Sequence, residues 1–126
     1  MNRMILAVFL AASTACAQGS KVTLLMAKNL PDIAGKEGVM ITVDYAPGAK
    51  DEMHRHNADV FVYVLEGSIV MQVRGGKELT LGPGDTFYEG PEDIHAVGRN
   101  ASATKPAKFL VFFVKEKNSP ILIPAK

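Results

Sequence analysis

The sequence predicts an all-β domain closed into a sandwich or barrel, and three observations carry that expectation. Short apolar segments rich in β-branched and aromatic residues recur at intervals of about eight to twelve residues. Turn-forming residues separate them: Pro47-Gly48, Glu66-Gly67-Ser68, Gly75-Gly76 and Gly82-Pro83-Gly84-Asp85. Beyond the first 18 residues, no stretch carries a helical period. A length of 126 residues suits one domain, and no internal repeat is present.

The elements follow in order. Residues 21–26 (KVTLLM) form a first strand, and 29–38, rich in Pro, Asp and Gly, a loop. Residues 39–46 (VMITVDYA) form a second strand, ended by Pro47-Gly48. The run 60–65 (VFVYVL) is continuously apolar, which predicts a strand covered on both faces. Strands at 69–74, 77–81, 86–89, 94–97 and 108–115 (KFLVFFVK) complete the set. The apolar ending ILIP at 121–124 is expected to cover the barrel or a neighbouring subunit.

The first residues have a different character. Arg3 supplies a positive charge, 4–12 (MILAVFLAA) a short apolar run, and Ala15-Cys16-Ala17 a small-residue cleavage pattern. This is the layout of a secretory signal peptide, and the run is shorter than the roughly 20 residues a bilayer span needs. The expectation is a signal over 1–17, cleavage between Ala17 and Gln18, a single domain over 18–126, and export to the periplasm or beyond. Cys16 after Ser13-Thr14-Ala15 weakly resembles a lipoprotein site, and lipidation there would be the one route to the membrane. Ordinary cleavage discards the chain's one cysteine. It also removes Arg3, leaving 14 − 1 = 13 basic against 13 acidic side chains. With no basic stripe or basic helix, nucleic acid and anionic membranes are not expected partners.

The chemistry rests on three histidines, His54, His56 and His95. Side chains two apart on an extended strand share a face, so His54 and His56 form a ready chelating pair. Spacing alone leaves three unrelated surface histidines open as the alternative. The segment Gly48-AKDEM-His54-Arg55-His56, followed by VYVLEG with Gly67, resembles the first motif of the cupin superfamily. Gly84 and His95 match the second at the right separation, and the resemblance covers 39–114. It implies a double-stranded β-helix (jelly-roll) barrel with a metal held by His54, His56 and His95. Two departures stand out. The family's glutamate ligand falls on Val60. In the second motif the proline and glycine positions are Gly90 and Glu92, with Pro91 beside them, and the asparagine position is Arg99, followed by Asn100.

Three neutral imidazoles leave a divalent ion its full charge, so its open positions favour anionic or enolisable ligands. The resemblance implies one divalent transition metal (Fe, Mn, Zn, Ni or Cu), a small-molecule ligand, dioxygenase-like chemistry if the protein is an enzyme, and a homodimer. The alternative is a non-catalytic small-molecule-binding cupin. Imidazole suits several of these metals and does not choose among them. Glu89 shares strand parity with Phe87, and a carboxylate on a buried face needs a partner. It is the candidate to replace the missing glutamate, as a fourth ligand or a base. The opposing reading seats it at the strand mouth, paired with Arg55, Arg99 or water. Arg55 is expected on the surface, Asp51 and Glu52 in solvent, and Tyr63 and Tyr88 in packing.

Overall fold

The computed structural model describes residues 19–126, and within them the chain is all β. The signal expected over 1–17, with Cys16, lies outside the described residues. Ten strands follow in order: β1 Ser20–Asn29, β2 Lys36–Tyr45, β3 His54–Arg55, β4 Asp59–Glu66, β5 Ile69–Val73, β6 Leu79–Leu81, β7 Thr86–Glu89, β8 His95–Asn100, β9 Ala107–Glu116 and β10 Ile123–Pro124. They form two five-stranded antiparallel sheets, ordered β1-β2-β9-β4-β7 and β10-β3-β8-β5-β6. This is the jelly-roll arrangement the sequence predicts.

The core lies between the sheets. On β4, Val60, Val62 and Val64 point inward at 1%, 4% and 0% exposure, while Phe61, Tyr63 and Leu65 point outward at 49%, 45% and 39%. The expectation that this run is covered on both faces therefore fails for the single chain. Alternation in a two-sheet fold leaves the outer face to solvent unless another chain covers it. Each buried valine contributes about 1.5–3 kcal/mol relative to exposure. Val39, Ile41 and Val43 of β2 and Phe109, Val111 and Phe113 of β9 fill the same layer.

Two boundaries differ from the sequence reading. The first strand runs on to Asn29 and the second begins at Lys36, so the turn between them is shorter than the predicted loop. Its Pro and Gly residues mark the bend, and the β1–β2 ladder consumes the flanks. Strand β10 was not predicted, because two residues carry no periodicity. Gly67 turns the chain from β4 to β5 at φ 71°; a side chain there would strike the Pro106 carbonyl, and only glycine adopts this backbone at no cost.

Candidate metal centre

The register of the strands brings the three histidines together. His54 of β3 lies directly opposite His95 of β8, and directly opposed residues share a face. His56 follows β3 and, like the other two, is buried. His54 Nε2 stands 3.1 Å from His56 Nε2 and 3.2 Å from His95 Nδ1. The rings meet edge to face, with centroids 4.7 and 4.8 Å apart. One ligating atom from each residue lies within 4.8 Å of the others, a group that could hold a metal ion.

The outer nitrogens explain which way the lone pairs point. His54 Nδ1 donates to the Glu52 carbonyl at 2.7 Å, and His56 Nδ1 to the Ile121 carbonyl at 2.5 Å. His95 Nε2 lies 3.0 Å from Met71 Sδ, a weak acceptor. A neutral imidazole carries one proton, and these acceptors hold it on the outer nitrogen. Each inner nitrogen then presents a lone pair to the centre of the cluster. Burial keeps two of the rings neutral: it pushes His56 down to about 4, with His54 adding to the shift, and His95 down to about 3, with His54 and His56 adding. With the protons on the outer nitrogens, the inner nitrogens 3.1–3.2 Å apart turn lone pairs toward one another, an arrangement that suits a metal ion.

Glu89 lies beside two of the three histidines. On β4, Val60 is opposed by Glu89 of β7 on one side and by Phe113 of β9 on the other, so all three side chains point inward. Glu89 thus enters the barrel from the strand next to the one that carries Val60. Glu89 is 3% exposed, with Oε1 3.3 Å from His95 Nδ1 and Oε2 3.7 Å from His56 Nε2. Glu89 is buried rather than at an exposed strand mouth, and neither Arg55 nor Arg99 is its partner. Arg55 bonds Asn57 and Arg99 lies 3.8 Å from Glu78. Glu89 Oε1 is buried without a hydrogen-bond partner. Burial, with Asp93 and Asp51 adding, pushes its acid up to about 8. The distances to His56 and His95 are those of ion pairs, yet burial favours the neutral form of all three groups. A divalent ion reverses that preference, because it rewards an ionised carboxylate and unprotonated imidazoles together. The donor set therefore fits a metal.

Residues that spacing could not reveal support the cluster. The His95 ring packs so closely on Gly98 that a Cβ there would come within 2.8 Å of Cε1. Phe113 and Phe87 pack beside His56 and His95, with ring centroids 5.2 and 6.2 Å away. Asp51 is a correction: it is half-buried rather than solvated. It accepts a short hydrogen bond from Tyr45, itself 1% exposed. Burial raises the Asp51 acid, and the Tyr45 phenol is raised by burial and by Asp51. Glu52 is exposed as expected and contributes only its carbonyl. Tyr63 and Tyr88 lie on the outer face; Tyr88 donates to Asp59 at 2.5 Å.

Three comparisons place this architecture. The cupin domain family model matches residues 41–113. A cupin-domain-containing oxidoreductase of Neurospora crassa, srdB, is 32% identical over 106 residues, which is 83% of this chain and 52% of that protein. The chain thus spans about half the length of the curated relative it matches. Among solved structures, an oxalate oxidase in complex with glycolate is 25% identical at a TM-score of 0.65, covering 90% of this chain and 59% of that one. A cupin-2 domain of Rhodospirillum rubrum reaches 0.66 at 17% identity, covering 86% and 66%. The strand order, the inward histidines and the match over most of the barrel agree, and the chain belongs to the cupin family.

Proposed function

We propose that the protein is an exported metal-binding cupin whose His54, His56, His95 and Glu89 hold one divalent transition ion, and that it acts as an oxygenase-type oxidoreductase on a small anionic or enolisable substrate. One observation carries this reading: ring nitrogens of three buried histidines cluster together, with a buried, unpartnered carboxylate oxygen beside two of them. A bound ion supplies Lewis-acid polarisation of a substrate oxygen and an orienting template. The chain's own groups do the rest. The three outer acceptors fix the imidazoles, Phe113 and Phe87 exclude water from the cluster, and Glu89 accepts a proton when it is not held by the ion. The oxidoreductase name of the Neurospora relative supports the reaction class, and the glycolate-bound oxalate oxidase supports the substrate class.

Metal analysis of purified protein, followed by turnover assays on small carboxylates and enolisable acids with the metal restored, tests the reading. The close packing of Met71, Phe87 and Phe113 around the cluster favours a second reading, a non-catalytic binder of small ligands. Metal-dependent ligand binding without turnover would select it. The signal pattern at 1–17 supports export, and the intact mass of the exported protein checks cleavage after Ala17. The outer face of the larger sheet presents Phe61, Tyr63, Tyr88 and Phe112, and β1 exposes Val22, Leu24, Leu25 and Met26. Such apolar area favours a second copy of the chain as its cover. Light scattering at micromolar concentration should give a dimer mass, and a monomer would refute it.

A further inference from the structure

The segment 119–126 reaches the metal centre from far along the chain. The Ile121 carbonyl accepts the hydrogen bond from His56 Nδ1, across 65 positions of sequence. Ile121 packs against the core cluster. Ile121, Ile123 and Ala125 are partly buried, while Leu122, Pro124 and Lys126 are exposed, so the segment lies along the barrel with alternate residues inward. Ile123 and Pro124 pair with Arg55 and His54, and the Ala125 N–H donates to the Met53 carbonyl at 3.2 Å. Arg74 anchors the far end by donating to the Lys126 carbonyl at 2.9 Å. The one short strand that presents His54 is therefore bound on one side by β8 and on the other by this segment.

We propose that residues 119–126 form a strap that positions the metal site. Its Ile121 carbonyl selects the His56 tautomer, and its β10 strand fixes the histidine-bearing β3. The inference rests on the metal reading for its effect on affinity but not for its effect on the tautomer. Without the Ile121 carbonyl, the His56 proton is free to sit on Nε2, which removes the lone pair a metal needs. Ile121 is a positioning residue: its backbone oxygen acts through His56, and its side chain keeps that oxygen in place.

Nitrogen-15 NMR of the metal-free full-length chain reads the tautomer directly. The expected result is His56 protonated on Nδ1. A His56 ring protonated on Nε2 in the unaltered chain would overturn the proposal, whether or not any variant folds. Ile121→Asp should shift His56 to a mixture of tautomers and weaken Zn2+ binding about 10–100-fold in a chelator competition. Ile121→Val should restore both, and Leu122→Ser, at an exposed position, should leave both unchanged. A folded Ile121→Asp chain with wild-type Zn2+ affinity and an unmixed His56 tautomer would contradict the strap. If the wild-type chain binds no Zn2+, the metal reading fails while the tautomer comparison still decides on the strap.

Discussion

Two buried polar side chains, Glu89 beside His95 at the start of β8 and Asn100 at the end of that strand, are each 3% exposed. Asn100 is fully used. Its Nδ2 donates to the Ala46 and Lys105 carbonyls at 3.1 and 2.8 Å, and its Oδ1 accepts from the Ser102 N–H at 2.9 Å. Glu89 faces the imidazoles of His56 and His95, and its Oε1 has no hydrogen-bond partner. Equal burial thus hides opposite energetics. The satisfied amide pins a loop and is a fixed part of the fold. The unsatisfied carboxylate costs the fold about 1–3 kcal/mol until something completes it. The difference separates a structural polar group from one kept for a ligand.

Four substitutions or conditions sharpen the contrast, starting with the largest effect. Replacing His54, His56 or His95 by Ala should each abolish stoichiometric metal binding, read by elemental analysis, because two imidazoles do not make the site. Asn100→Ala should leave metal content unchanged and lower stability by about 1–3 kcal/mol, since it strands the Ser102 N–H and two carbonyls. Calorimetry should show the loss as a Tm lower by roughly 5–15 °C. If Asn100→Ala also empties the site, the two ends are not independent.

Glu89→Gln should behave in the reverse manner. Metal affinity should fall at least tenfold in a chelator competition, while the metal-free protein keeps its Tm at neutral pH or gains. The pH dependence is a subtler check. Glu89 is raised from 4.5 to about 8, so in the metal-free protein its contribution is full below 4.5 and is lost as pH rises through 8. His56 and His95 are depressed from 6.5 to about 4 and 3, so their contribution is full above 6.5 and is lost as pH falls through those values. The metal-free Tm should therefore decline between pH 6.5 and 8. Glu89→Gln, or loading the metal, should flatten that decline. A decline that persists in Glu89→Gln would remove Glu89 as its cause.

The sequence made the histidines legible because His54 and His56 are two apart and His95 begins a strand after a turn. Glu89 was legible through parity with Phe87, and Val60 marked the carboxylate as missing. That the two positions are neighbours became visible only in the β4–β7 register, which sets Glu89 opposite Val60. The Ile121 carbonyl and Met71 carried no local signal because they reach His56 and His95 from strands distant in sequence, and Gly98 and the Tyr45–Asp51 pair because their contacts depend on side-chain packing that spacing does not show. Asp51 looked solvated because it stands in a polar loop, and its partner lies six residues earlier on another strand. The all-β class and most strands followed from turn residues and alternation, whereas the continuous apolar run of β4 concealed that Phe61, Tyr63 and Leu65 face outward.

A crystal structure grown with Zn2+, with diffraction measured across the zinc absorption edge, tests the central claim most directly. The account predicts one anomalous peak per chain, about 2.0–2.1 Å from one nitrogen of each of His54, His56 and His95 and about 2.0–2.2 Å from a Glu89 oxygen. Crystals holding Zn2+ on the surface and none between the three imidazoles would contradict it.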